Sequence, residues 1–162
     1  MDARGSKATA TVRRRSKADA PNASSVGLLI VAHGDLGKTL IRCATHMLGT
    51  APDRLAGISV AAEVDPEALL KKVRRRIAAL DNGAGVLVLT DMLGGTPSNV
   101  ATRALIRGRV EGLSGASLPM VMRALTYRKG PLATVVAKAA AGGQDGIVHI
   151  QSTAAAHATS GN

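Results

Sequence analysis

Val86-Leu87-Val88-Leu89-Thr90-Asp91-Met92-Leu93-Gly94-Gly95-Thr96-Pro97-Ser98-Asn99-Val100-Ala101 is the stretch on which the fold turns. Its first four residues are aliphatic with no polar alternation, the pattern of a strand covered on both faces. Asp91 ends the run, and Gly94-Gly95-Thr96-Pro97 predicts a tight turn. A helix bearing Val100, Ala101, Ala104 and Leu105 departs from that turn, with the Thr96 hydroxyl placed to cap it. A strand that runs straight into a helix is one half of a β–α–β unit, so its neighbours decide whether the sheet is parallel.

The neighbours repeat the alternation. Upstream, Leu69, Leu70, Val73, Ile77 and Leu80 keep one apolar face of a helix from Pro66 to Leu80, with Asp65 as its cap and Pro66 at its first position. The Lys71-Lys72-Val73-Arg74-Arg75-Arg76 run on that helix reads as a solvated face, or as a contact for an acidic partner. A strand near Gly57–Ala61 precedes it. Before that, Leu36, Leu40, Ile41, Ala44, Met47 and Leu48 recur at helical spacing until Gly49, and Val26–Ala32 is again apolar at nearly every position. Downstream the pattern predicts a strand over Val110–Gly115 and a helix from Pro119 to Tyr127. A further helix runs from Pro131 to Ala141 and is ended by Gly142-Gly143. A short strand, Gly146–Ile150, follows, of the kind that lies at a sheet edge or pairs with another subunit. The expected architecture is α/β, one domain with a mostly parallel sheet of four strands covered by helices, plus that C-terminal edge strand.

Composition sets the outer limits. A chain of 162 residues, 46% hydrophobic and 20% charged, has the size and balance of one globular core. One Tyr with no Phe or Trp makes the core aliphatic and removes the platforms on which single-stranded nucleic acid stacks, so no nucleic-acid partner is expected. The lone Cys43 excludes an internal disulfide and a cysteine-clustered zinc site, and it suits a reducing cytoplasm. No apolar run approaches the ~18 residues of a membrane span. The net charge of +10 is uneven. Residues 1–25 carry six basic against two acidic side chains and little periodic hydrophobicity, which predicts a basic disordered extension. Residues 26–150 are then the folded domain and 151–162 a frayed tail.

Ligands of open α/β sheets bind beyond the carboxyl ends of the strands, where the strand order reverses. That rule singles out His33-Gly34-Asp35 and the segment Asp91 to Thr96. If the two strands are neighbours, Asp91 accepts a hydrogen bond from one ring nitrogen of His33 and leaves the other with a free lone pair. Such a histidine is a nucleophile or a metal ligand. The backbone at Gly34, Gly94, Gly95 and Thr96 offers an anion cradle, and the set together points to phosphoryl transfer through a phosphohistidine. Taken singly, each residue also fits an ordinary turn or cap. His46 and His149, inside a helix and a strand, read as structural. Arg103 and Arg107 are candidates to hold a phosphoryl group or an acidic partner. Gly37-Lys38-Thr39 after a strand suggests a P-loop NTPase, but that motif requires glycine where the chain has Ala32.

The segment from Val86 to Ala101, with Ile30-Val31-Ala32-His33-Gly34 upstream and Gly115-Ala116-Ser117-Leu118-Pro119-Met120-Val121 downstream, resembles the mannose-family enzyme IIA of the bacterial phosphotransferase system. The Asp-x-x-Gly-Gly-[Ser/Thr]-Pro-x-Asn run is the specific part, and the resemblance covers roughly Val26 to Ile150. It implies a cytoplasmic phosphotransferase whose His33 accepts phosphate from the histidine phosphocarrier protein and passes it to a IIB protein or domain, for sugar uptake or regulation. Asp91 matches the family's carboxylate partner and Thr96 its phosphate-contacting hydroxyl. The resemblance further implies no metal or organic cofactor, a homodimer formed by exchange of a C-terminal strand such as Gly146–Ile150, and contact with the membrane only through a permease. Leu93 departs from the aromatic residue that often precedes the paired glycines. His-Gly after a first strand also resembles small metal chelatases, in which histidines bind the inserted metal.

Overall fold

The computed structural model describes residues 24–151; the expected basic extension, apart from Ser24 and Ser25, and the tail beyond Gln151 lie outside the described residues. Nine elements follow one another along the described residues: β1 (Gly27–His33), α1 (Leu36–Leu48), β2 (Leu55–Val60), α2 (Pro66–Leu80), β3 (Val86–Thr90), α3 (Thr96–Thr102), β4 (Val110–Ser114), α4 (Leu118–Tyr127) and α5 (Leu132–Asp145). The strands form one sheet in the order β2-β1-β3-β4. Every pairing is parallel, with Ile30 facing Gly57 on one side and Leu89 on the other.

The period of two along each strand sorts the core into two layers. Leu29 and Val31 of β1 join Val86 and Val88 of β3 under α2 and α3. Leu28, Ile30 and Ala32 join Leu87 and Leu89 under α1, α4 and α5. Both faces of β1 and β3 are therefore dry, which is why their sequences lack polar alternation; each buried Leu, Ile or Val contributes roughly 1.5–3 kcal/mol. Local signals set the helix ends. The Asp65 carboxylate accepts from the N–H groups of Glu67 and Ala68, and Ser117 accepts from Met120 N–H. Gly49 closes α1 in the left-handed conformation.

Three expectations differ from the structure. α5 does not stop at Gly142-Gly143 but runs through both to Asp145. These glycines are there for close packing: a Cβ on Gly142 would lie 2.7 Å from Arg123 Cβ and 3.0 Å from the Pro119 carbonyl oxygen of α4. α3 is short, ending at Thr102, and Gly95 rather than Thr96 occupies its cap position without a side-chain cap bond. Ala104 is buried all the same, carried by the turn in which its N–H donates to Ala101. Residues 147–150 form no strand within this chain. The Ile147 N–H bonds back to Gln144, and Ile147, Val148 and Ile150 are 86%, 70% and 90% exposed, so His149 is not inside a strand either.

Candidate functional site

The strand order turns between β1 and β3, since β2 lies on one side of β1 and β3 on the other. At their carboxyl ends Val31 is level with Thr90, so the next residues of both strands emerge side by side. His33 is the last residue of β1, and Asp91 is the first beyond β3. One oxygen of Asp91, Oδ2, accepts both the His33 backbone N–H at 3.0 Å and His33 Nδ1 at 2.7 Å. A carboxylate can only accept, so the proton of that ring bond sits on Nδ1 and Nε2 keeps its lone pair. The His33 side chain is 46% exposed and that of Asp91 12%. The arrangement is a reachable ring on a buried anchor.

Electrostatics keep the anchor charged. Burial pushes the Asp91 carboxyl up, but the hydrogen bonds from the His33 ring and from the backbone N–H groups of His33 and Met92 outweigh it and hold it below its usual 3.8. Its second oxygen, Oδ1, is buried with no hydrogen-bond partner among the described residues. A positive charge growing on the ring is the natural complement to that carboxylate.

The loop after Asp91 closes over the ring. Gly94 has φ +88, open to glycine at little cost, and its N–H donates to Ser98 Oγ at 3.0 Å. The Ser98 hydroxyl in turn donates to the Gly95 carbonyl at 3.0 Å, from a position only 4% exposed. This double tie fixes Gly95 against the imidazole: a Cβ there would lie 2.9 Å from His33 Cε1 and 3.5 Å from Nε2. Gly95 has φ −86, which any residue adopts, so Gly95→Ala strains no backbone and only displaces the ring. We expect that variant to melt close to the parent while any reaction at His33 Nε2 slows roughly tenfold or more, since small misplacements of a reacting group cost that much. Equal rates in a quench-flow assay would mean that Gly95 does not confine the ring.

Of the residues expected at the site, His33, Asp91 and Gly95 are brought into contact, with Thr96 next in chain at the start of α3. Gly34 and Gly94 shape the turns, but their N–H groups are already engaged by Val60 carbonyl and Ser98 Oγ. Arg103 and Arg107 lie past the opposite end of α3, and Arg103 pairs with Glu67. His46 is exposed near the end of α1. The Gly37-Lys38-Thr39 segment is not a loop: Gly37 is buried inside α1 against Ile30, and Lys38 pairs with Asp35. No group of three or more His, Cys, Asp or Glu is gathered as a metal would need, among the described residues. Ser98 was not singled out from sequence, although a serine in the first turn after Gly-Gly-Thr-Pro is a familiar anchor for turn amides.

Residues 27–141, from β1 into α5, match the EIIA-man family, described as the PTS system fructose IIA component. The chain belongs to this family. Over 105 residues this EIIA-man chain is 30% identical to the mannose-specific EIIAB component of the PTS system of Escherichia coli (strain K12), covering 64% of the chain and 32% of that protein. The match thus spans about a third of that relative's length. It is 28% identical over 102 residues to the transcriptional regulatory protein LevR of Bacillus subtilis (strain 168), covering 62% of the chain and 10% of LevR. Among solved structures it is similar to phosphotransferase system component EIIA from Streptococcus agalactiae, with a TM-score of 0.68 and 27% identity over 76% of this chain and 96% of that one.

Proposed function

We propose that this EIIA-man chain is a phosphohistidine carrier. It accepts a phosphoryl group on His33 from the histidine phosphocarrier protein and passes it to a IIB protein or domain. The observation that carries this reading is the 2.7 Å bond from His33 Nδ1 to Asp91, which leaves Nε2 as the nucleophilic nitrogen of an accessible ring.

The Nε2 lone pair attacks phosphorus in line as the donor's N–P bond breaks, and the donor ring keeps that electron pair. The His33 ring becomes cationic as the new bond forms, and Asp91 stabilises that charge through Nδ1–H. Opposite the ring, the N–H groups of Gly95 and Thr96, which have no intrahelical acceptor, face the phosphoryl oxygens, and the Thr96 hydroxyl adds a further donor. Gly34 and Gly94 contribute shape rather than donors. Met92 and Leu93, both exposed beside Asp91, give the docking protein an apolar rim. The exposed Ile147, Val148 and Ile150 support pairing of this segment with a second copy in a homodimer. Among the described residues no helix is long and apolar enough to cross a membrane. Relatives named as a mannose-specific EIIAB component and as a transcriptional regulator support uptake and regulation alike.

Reversibility tests the reading. Phosphorylated chain, purified away from its donors, is expected to return its label to unphosphorylated histidine phosphocarrier protein, because both bonds are N–P bonds of similar energy. A label that stays on the chain would point to an ester on a hydroxyl side chain and sink the carrier assignment.

A further inference from the structure

A cavity lies at the opposite end of the sheet from His33. It is bounded by α2, the segment after α3 and the start of β4, and has a volume of about 480 Å³, within the range of small-molecule sites. Val110, on its wall, opens β4 and pairs with Val86, the first residue of β3, whereas Asp91 follows the last. The two sites are therefore separated by the length of β3, roughly 15 Å at 3.3 Å per residue.

Three guanidinium groups, Arg74, Arg103 and Arg109, line this cavity around an apolar floor that includes Ile77 and Ala104. They are held in place by the fold. Arg74 donates to the Arg103 carbonyl at 3.2 Å, Arg103 pairs with Glu67 at 2.8 Å, and Arg109 Nε donates to Asp81 at 3.0 Å. The rim is equally fixed: Ile106 and Val110 form a tight antiparallel bridge. Two carboxylates, Glu67 and Asp81, against three guanidiniums leave the mouth with excess positive charge. Guanidinium forks match phosphate oxygens in pairs, while the floor excludes a fully polar ligand from making good contact.

We propose that this cavity binds an organic phosphate monoester with a compact apolar body, with Arg74 and Arg109 holding the phosphate and Ile77 and Ala104 contacting the body. The site is independent of phosphoryl transfer at His33.

Isothermal titration of the full chain with phenyl phosphate, inorganic phosphate and glucose 6-phosphate tests it. Phenyl phosphate is expected to bind saturably, one per chain, at least tenfold more tightly than the other two, and unchanged in His33→Ala. The Arg74→Gln/Arg109→Gln pair should weaken it tenfold or more with the circular dichroism spectrum retained. Should that pair fail to fold, Ile106→Asp adds a carboxylate at the exposed mouth without touching any of these ion pairs and should weaken binding likewise. Absence of saturable binding, equal affinity for inorganic phosphate, loss of binding in His33→Ala, or full affinity in the folded arginine or Ile106 variants would overturn the proposal.

Discussion

His33→Ala is expected to reduce phosphorylation of the chain to background while leaving a folded domain. The nucleophile is gone, and among the described residues the other two histidines lie away from the site: His46 is near the end of α1, and His149 is in the unpaired segment after α5. The fold loses little because the ring is half exposed and packs on the loop rather than in either core layer. What it does lose is the ring bond to Asp91, a hydrogen bond to a charged group, which typically contributes roughly 1.5–3 kcal/mol. Denaturant unfolding should therefore show a modest drop with an unchanged slope, as for a mutation that alters stability but not compactness. A variant that unfolds outright would make His33 a structural residue, and one that still labels fully would remove it from the chemistry.

The second large effect belongs to the anchor. Asp91→Asn keeps the size of the side chain and an acceptor for the His33 backbone N–H, but it removes the charge that complements the ring. It also presents an amide that no longer dictates which nitrogen carries the proton. By comparison with other His–Asp pairs, transfer should slow by about 10²- to 10⁴-fold. A stability signature accompanies it. The Asp91 carboxyl is held below its usual 3.8 in the folded chain, so it contributes stability that is fully present above that value and is lost as pH falls through the lower folded value. The gap in melting temperature between the parent and Asp91→Asn should therefore be widest near neutrality and shrink as pH drops below about 4. A gap that is constant across that range, or a transfer rate equal to the parent's, would show that the ring does not depend on this carboxylate.

How legible the molecule was depended on how local each signal was. The bounds of α2 and β3 follow from sequence because a cap, a proline and an unbroken aliphatic run each act within a few residues. The end of α5 does not. Gly142 and Gly143 look like a stop signal, yet close approach to α4 keeps them helical, and no local pattern reveals that approach.

 The contact that decides it joins Gly142 to Pro119 and Arg123, and it exists only once the two helices are packed. The alternation in Gly146–Ile150 likewise looks like a strand, but the segment pairs with no strand of this chain.

The site was half legible for the same reason. His33 and Asp91 are each marked by their place at a strand end, but their meeting requires β1 and β3 to be adjacent, which only the sheet order supplies. Ser98 escaped notice because its task, tying two loop amides and carbonyls to a short helix, depends on a turn whose shape the glycines leave open. The arginine-lined cavity draws on α2, the segment after α3 and the start of β4, so no stretch of sequence displays it.

The most direct test of the phosphohistidine assignment is to incubate the full chain with phosphoenolpyruvate, enzyme I and the histidine phosphocarrier protein, then map the product by mass spectrometry and phosphorus NMR. The account predicts one acid-labile phosphoryl group per chain, on Nε2 of His33. A chain that stays unlabelled while the same donors label another acceptor, or a phosphoryl group found on any other residue, would contradict it.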